Sequence, residues 1–583
     1  MEMVNIKING MPFSVPGGIS ILEAARYAGI EIPTLCFLKD MNEIGACRFC
    51  MVEVAGPRGN RLVSSCVFPV NEGMEILTNT QKVHDSRRTT LELLLSAHDR
   101  KCLSCVRSGS CELQKLCLEY GVENESRYDG EKPVWEIDTT ATHMVRDNNK
   151  CILCRRCVAA CDNQAISVIG ANARGFDTHI GSAFEKGLAS YSCVECGQCI
   201  VNCPTGALYE KDDTKAVFDA INDPDKFVIV NTAPSIRVTL GECFGYKVGT
   251  NVTGKMAAAL HRLGFNKVFD TDFSADLTIM EEGTELLHRI KEGGALPLIT
   301  SCSPGWVNYC EHYFPEQIEN LSSCKSPQQM FGAVMKTWYA QKMNIDPAKI
   351  VVVAVMPCTA KKGENKRDDQ SAAGFADVDY SITTRELASM IKTAGINFDL
   401  LPDEQFDNPL GEGTGAGVIF GATGGVMETA LRYAAEVLTG KELESVDFTE
   451  VRGTEGIKEA TYTVGGVELK VAAVSGLKNA QEIMEKVKAG TCDYHFIEIM
   501  ACPGGCVNGG GQPIQPASVR NFVDLKGLRA QAIYEADKNL PLRKSQDNPA
   551  IKMIYDEFFG EPGSHKAHEI LHTSYVKKSL YND

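Results

Sequence analysis

The chain has 583 residues, with 59 basic and 75 acidic side chains, a formal charge of −16 and 24 cysteines. That length exceeds one ordinary domain and predicts three or more. An acidic balance with no basic block argues against nucleic acid and anionic membrane surfaces as partners, and no apolar run reaches the roughly 18 residues of a membrane span.

The N-terminus, Met-Glu-Met-Val-Asn-Ile-Lys-Ile-Asn-Gly, lacks the basic-then-apolar layout of a signal peptide, which predicts a cytosolic chain. In that reducing compartment so many thiols read as metal ligands rather than as a disulfide framework. Alternating Val4, Ile6 and Ile8, then Phe13 and Val15, predict a hairpin. Ser20 and Glu23 form a capping box for a helix from Ile21 to Ala28, ended by Gly29. Cys36, Cys47, Cys50 and Cys66 follow, spaced C-x10-C-x2-C-x15-C. This resembles the plant-type 2Fe-2S domain with a lengthened first gap, as in the peripheral arms of respiratory dehydrogenases.

Residues 79 to 97 predict a helix that runs into His98, Cys102, Cys105 and Cys111. The order H-x3-C-x2-C-x5-C resembles the His/Cys3 site for a 4Fe-4S cluster in large FeFe hydrogenases and in the catalytic arm of complex I. A lone histidine is usually a core or surface residue, but its fixed distance from three cysteines favours ligation. Cys117 is left to packing. Cys151, Cys154, Cys157 and Cys161, then Cys193, Cys196, Cys199 and Cys203, repeat the bacterial ferredoxin run C-x2-C-x2-C-x3-C. Zinc sites usually close with four ligands in two pairs, so these triplets point to iron–sulfur clusters. The fourth cysteine of each run serves the other cluster. The predicted sets are therefore Cys151, Cys154, Cys157 with Cys203, and Cys193, Cys196, Cys199 with Cys161.

From about residue 211, apolar runs at 227–230, 296–299, 350–355 and 417–420 alternate with helical stretches such as 252–263 and 328–342. They predict an α/β domain with buried, largely parallel strands, whose carboxyl ends usually carry the site. The expected architecture is multidomain, α+β and α/β: a 2Fe-2S domain over 1–78, a His/Cys3 domain over 79–140, a double-cluster ferredoxin domain over 141–210 and the α/β domain over 211–583.

Three cysteine blocks lie in this last part: Thr300-Ser-Cys-Ser-Pro-Gly-Trp306, Met356-Pro-Cys-Thr-Ala-Lys-Lys-Gly-Glu364, and Met500-Ala-Cys-Pro-Gly-Gly-Cys-Val-Asn-Gly-Gly-Gly-Gln-Pro513. Together they resemble the active-site signature of iron-only (FeFe) hydrogenases. The resemblance implies the H-cluster, a 4Fe-4S cubane joined to a diiron unit with CO, CN and dithiolate ligands. It makes Cys358, Cys502 and Cys506 cubane ligands, with Cys506 bridging to the diiron unit. Lys361 is implied as a donor to an iron-bound cyanide, and Pro234, Ser235, Gln328, Met356 and Met500 as lining of the diiron pocket. It also implies a proton relay through Cys302, Glu282, Ser322, Glu285 and Arg289. The spacing of Glu282, Glu285 and Arg289 independently puts them on one helical face.

Ser303 departs from the pattern, because the family's first block has two adjacent cysteines and the second is a ligand. A hydroxyl is a poor iron ligand beside a thiolate. Cys324, where such hydrogenases typically have alanine, is the expected replacement, with Cys302 kept as proton carrier. The competing reading makes Cys302 the ligand.

The expected activity is reversible H2 oxidation. No Gly-rich nucleotide loop or flavin signature is visible. The first 200 residues and the serine variant look like those of catalytic subunits in multisubunit, electron-bifurcating hydrogenases. These work with a flavin- and NAD(P)-binding subunit, a small 2Fe-2S subunit and ferredoxin. The alternatives are a stand-alone ferredoxin hydrogenase and, outside catalysis, a hydrogen sensor or an electron-relay subunit.

Overall fold

The structure, a computed structural model, describes residues 2–122, 127–128, 130–443 and 445–581. Strands Met3–Ile8 and Met11–Pro16 pair antiparallel, as their alternation requires, and Glu75–Leu77 lies parallel to the first of them. Met51–Val54 and Arg61–Ser64 complete a five-stranded sheet. Helix Ile21–Tyr27 starts on the reciprocal Ser20–Glu23 cap and buries Ile21, Leu22, Ala24 and Ala25 on this sheet. The loop that follows it carries Cys36 and Cys47.

Helix Gln81–Ala97 is capped by the Thr80 hydroxyl, which accepts the Val83 N–H, and ends where His98 turns to extended backbone. In the double-cluster unit, helices Arg156–Asp162 and Gln198–Asn202 occupy equivalent places in the two repeats. Each is entered through a left-handed residue, Arg155 at φ 61° and Gly197 at φ 68°. Met144–Arg146 pairs antiparallel with Leu208–Glu210 and joins the two ends of the unit.

Two four-stranded sheets build the remainder. The first runs Lys267–Asp270, Phe227–Thr232, Ile350–Met356, Tyr380–Thr383 and is parallel throughout. All seven residues of Ile350–Met356 are buried, which is why that strand reads as a continuous apolar run. Full burial of a Val or Ile contributes about 1.5–3 kcal/mol, so this strand alone anchors the core. The second sheet runs Leu298–Ile299, Phe496–Met500, Val467–Ser475, Ile457–Val464, with only the last strand antiparallel. Strands Phe227–Thr232, Ile350–Met356, Leu298–Ile299 and Phe496–Met500 all end beside one cavity.

Three expectations need correction. The run 417–420 lies in a helix, Gly415–Ile419, not a strand; it is buried on every side, and periodicity cannot separate a short buried helix from a buried strand. The strand at 296–299 shrinks to Leu298–Ile299, because Pro297 has no N–H to give a ladder. The helix at 328–342 is Pro327–Val334, then a π-turn at Met335–Tyr339, then Ala340–Met343. Among the described residues no helix is long and apolar enough to cross a membrane.

Candidate active site and electron path

In the N-terminal domain the four cysteines form two pairs. The Cys47 N–H donates to Cys36 Sγ at 3.5 Å, and the Cys50 and Cys66 sulfurs are 3.3 Å apart. A hydrogen bond from its partner thiol draws Cys47 down to about 6 and Cys50 to about 7. Each pair thus offers one thiolate near neutral pH, Cys47 or Cys50, while the same hydrogen bonds and burial raise Cys36 and Cys66, which lose their protons when a cluster binds.

His98 is buried, its Nδ1 has no hydrogen-bond partner, and burial pushes the ring down to about 4. A neutral imidazole with a buried orphan nitrogen suits a metal ligand. Cys111 lies in the field of Cys105, and Cys117 in that of Cys111 and Cys102, so the three thiols predicted to join His98 are neighbours.

The two ferredoxin sets assemble crosswise. Cys151, Cys154, Cys157 and Cys203 line one cavity of about 20 Å³; Cys161, Cys193, Cys196 and Cys199 line another of about 30 Å³. Burial raises Cys154 and Cys196 to about 12 and also raises Cys151, Cys157, Cys161, Cys193 and Cys199, so in the apoprotein these seven stay protonated until a cationic core takes them. Among the described residues no three His, Cys, Asp or Glu side chains converge tightly enough for a single ion. The thiols surround small voids instead, which fits a multi-atom core.

Both N-terminal sites approach the same ferredoxin set. Asn42 Nδ2 donates to the carbonyls of Cys36 at 2.7 Å and Cys154 at 3.0 Å. From the other side, Cys105 Sγ lies 2.6 Å from where a Cβ on Gly206 would stand, three residues after Cys203. At the opposite end Cys196 lines both its own void and the large catalytic cavity, and Cys502 Sγ comes within 3.9 Å of its carbonyl. Gly510 can have no side chain here, since a Cβ would meet the Cys196 oxygen at 2.2 Å.

The catalytic cavity, about 80 Å³, is lined by Cys302, Ser303, Cys358, Cys502 and Cys506, with Lys361, Pro234, Gln328, Met356 and Met500. Every block leaves the carboxyl end of a strand, as open α/β sheets arrange their sites. Gly505 (φ +87°) and Gly509 let the third block fold tightly, a Cβ on Gly509 meeting the Pro357 oxygen at 2.2 Å. Lys361 Nζ donates to Glu364 at 3.0 Å and to the Cys302 carbonyl at 3.2 Å. Ser235 stands behind this wall, its hydroxyl reaching the Cys506 carbonyl at 3.4 Å.

Cys324 departs from the expectation. Its sulfur lies 3.9 Å from Glu285 Oε2 and it does not line the cavity, whereas Ser303 does. The structure thus sets Cys324 beside Glu285 and Ser303 at the cavity wall. Ser303 stands at the N-cap position of helix Pro304–Tyr313 without a side-chain bond to it; its Oγ accepts the Ala501 N–H at 3.3 Å instead, beside Cys502.

From Cys302 a line of protic groups leads outward. Burial and then the field of Glu282 hold the Cys302 thiol well above its usual range. Glu282 sits on helix Asp272–Glu292, 1 % exposed, with neither oxygen in a hydrogen bond of normal geometry. Burial, then Glu285, raise it to about 8. Ser322 donates to Glu285 Oε2 at 2.9 Å, and Arg289 Nη2 to Glu285 Oε1 at 2.6 Å.

Sequence reasoning missed Phe420 and Thr271, which also line the cavity, and Glu498. Glu498, raised to about 7 by burial, accepts the N–H groups of Gly424 and Met427 at 2.7 Å each. A charged residue inside the apolar run Phe496-Ile-Glu-Ile-Met500 was the available signal.

Fold and site define an iron–sulfur electron-transfer chain that ends at a buried, thiol-lined catalytic cavity. Residues 226–510 match the C-terminal domain of the iron-only hydrogenase large subunit, and 523–578 the iron hydrogenase small subunit. Residues 1–81 match a 2Fe-2S cluster binding domain, 87–126 the NADH-ubiquinone oxidoreductase-G iron–sulfur binding region, and 150–207 a 4Fe-4S dicluster domain. The chain is 50 % identical to the NADP-reducing hydrogenase subunit HndD of Solidesulfovibrio fructosivorans, over 99 % of this chain and 100 % of that protein. It is 44 % identical to iron hydrogenase 1 of Clostridium pasteurianum, with the same coverage. The solved apo FeFe-hydrogenase HydA1 of Chlamydomonas reinhardtii aligns with 63 % of this chain and all of its own, at 42 % identity and a TM-score of 0.57. The chain belongs to the iron-only (FeFe) hydrogenases, and its activity is that of a hydrogenase.

Proposed function

We propose that this chain is the hydrogen-activating subunit of a cytoplasmic multisubunit hydrogenase. It oxidises H2 reversibly and passes the electrons to a flavin- and NAD(P)-binding subunit, a small 2Fe-2S subunit and ferredoxin, so that NAD(P)+ and ferredoxin are reduced together. The observation that carries this is the end-to-end likeness to a subunit named as NADP-reducing, in a chain with no visible nucleotide loop. The 44 % identity to iron hydrogenase 1 supports the second reading, a stand-alone ferredoxin hydrogenase.

The units are 1–78, 79–140, 141–210 and 211–583. They hold one 2Fe-2S cluster on Cys36, Cys47, Cys50 and Cys66, and three accessory 4Fe-4S clusters: one on His98, Cys102, Cys105 and Cys111, and two on the crossed ferredoxin sets. The H-cluster, on Cys358, Cys502 and Cys506, supplies the H2-splitting chemistry when bound. Ser303 stands at the fourth cubane position. Lys361, fixed by Glu364, orients a donor into the cavity, while Met356, Met500, Pro234 and Gln328 exclude water from it. Cys302 takes the proton at its sulfur and exchanges it with Glu282, then Ser322, Glu285 and the Arg289 end of the helix.

Anaerobic purification of the isolated, matured chain tests the partner assignment. It should reduce one-electron dyes with H2 and leave NAD(P)+ untouched. Robust NAD(P)+ reduction by the single chain would overturn it, and fast coupling to ferredoxin with no copurifying flavoprotein would support the second reading.

A further inference from the structure

The void shared by Cys161, Cys193, Cys196 and Cys199 is walled between the thiols by apolar side chains such as Ile166, Ile180 and Leu188. Apart from the cysteines, the polar side chains that line it are Arg146, Gln198 and His143. Two of them are engaged elsewhere. Arg146 donates to Ser182 Oγ at 3.3 Å and to Asp138 Oδ2 at 2.9 Å, and Gln198 Nε2 donates to the Asn508 carbonyl at 3.0 Å. His143 is 1 % exposed, and neither of its ring nitrogens has a hydrogen-bond partner.

The backbone holds this ring against the thiols. Met144 Sδ, one residue on, lies 3.8 Å from Cys199 Sγ, and the His143 carbonyl accepts the Lys211 N–H at 3.0 Å. Glu195, between Cys193 and Cys196 in the chain, brings Oε1 to 3.8 Å from His143 Nδ1, beyond hydrogen-bond reach, and that oxygen already accepts from the Thr142 hydroxyl. An imidazole carries at least one N–H in either tautomer and when charged, and a buried donor left without an acceptor is costly. The four thiols on the same void would hold a core whose sulfurs are acceptors, and these meet the need.

We propose that His143 donates a ring N–H to a sulfur of the 4Fe-4S cluster on Cys161, Cys193, Cys196 and Cys199, and so raises that cluster's reduction potential. This rests on the assignment of those four cysteines to one cluster. Reduction makes such a core more negative, so a donor to its sulfurs stabilises the reduced form more than the oxidised one. The cluster concerned is the one beside the catalytic cavity, because Cys196 lines both voids. A raised potential there draws electrons out of the cavity during H2 oxidation. His143 binds no iron and passes no proton in this role; it acts on turnover only through the cluster.

The test is potentiometric electron paramagnetic resonance on matured holoenzyme, comparing wild type with His143→Leu and His143→Gln. In His143→Leu one accessory 4Fe-4S component should move to lower potential, its reduced-to-oxidised ratio at a fixed poise falling about threefold or more, the weight of one net hydrogen bond. The other accessory components and the iron content should stay at wild-type values. His143→Gln, which keeps an amide N–H, should recover part of the shift. The contact is also readable without substitution: the reduced wild-type signal should carry a weak nitrogen hyperfine coupling that responds to isotopic relabelling of histidine, apart from the strong coupling expected of ligating His98, and His143→Leu should lack it. Unchanged potentials in His143→Leu, a His143→Gln potential as low as that of His143→Leu, or a wild-type signal without the weak coupling overturns the donor. Loss of the cluster's iron from His143→Leu also overturns it, since the ring would then be needed to build the cluster. Cys199→Ala separates the two readings, because it should remove the component that His143→Leu shifts. If that component goes while His143→Leu is normal, only the donor fails; if every accessory component survives in Cys199→Ala, the cluster set fails and the donor with it.

Discussion

Glu282 offers a sharp test of the relay, because its environment fixes a measurable property before any turnover is counted. The carboxyl is 1 % exposed, burial and Glu285 raise it to about 8, and it is neutral at pH 7. The sign follows directly: below about 8 the group holds a proton it can pass on, and above about 8 it is a carboxylate that can only accept. A shift from 4.5 to about 8 corresponds to an upper limit near 5 kcal/mol at 1.36 kcal/mol per unit, lessened by any water that reaches the site. In linkage terms the folded state keeps this proton between about 4.5 and 8 while the unfolded state has lost it, so its contribution to stability falls as pH rises through that window. Infrared difference spectra of the apoprotein should show a protonated-carboxyl band that vanishes as pH passes about 8 and is missing from Glu282→Gln. In the matured enzyme Glu282→Gln should lower H2 evolution by about 10²–10⁴, the usual weight of a positioned acid–base group, with cluster spectra unchanged. A carboxyl titrating at its ordinary value, or a glutamine variant with wild-type turnover, refutes the reasoning.

Cys302→Ala should leave every cluster spectrum in place and reduce turnover by orders of magnitude; disappearance of the active-site cubane would instead make Cys302 a ligand. Cys324→Ala should retain the cubane, since that sulfur faces Glu285 rather than the cavity, and cubane loss on electron paramagnetic resonance would reinstate it. Ser303→Cys should keep the cubane and alter its spectrum and potential, because a thiolate replaces a hydroxyl at a position already lining the cavity. Iron analysis of the fully matured chain should give about 20 atoms, and stoichiometric zinc would contradict the cluster sets.

Much of this architecture was legible because ligand spacing and strand burial are local properties. The doubled C-x2-C-x2-C-x3-C run fixes which thiols can share a core, and Ile350–Met356 declares itself by seven buried apolar residues. Long-range geometry was not legible. Nothing near Cys324 in the chain says that helix Asp272–Glu292 brings Glu285 to its sulfur, so chemistry alone pointed to a sulfur that does not line the cavity. Phe496–Met500 escaped notice because Glu498 interrupts its apolar run, and that charge is tolerated only because Gly424 and Met427 give it two N–H donors. The helix Gly415–Ile419 misread as a strand shows the converse: total burial erases the pattern that distinguishes the two.

The approach of two separate N-terminal sites to the Cys151, Cys154, Cys157 and Cys203 set makes that set a junction rather than one link in a line. In the proposed cluster arrangement, current arriving there would divide between two limbs without the catalytic cavity being duplicated. A junction also tolerates damage on one limb. In the proposed cluster arrangement, disabling the His98 limb would leave Cys36, Cys47, Cys50 and Cys66 as a route to the outside, whereas a break at Cys196, which lines both its own void and the catalytic cavity, would cut the path into the catalytic domain.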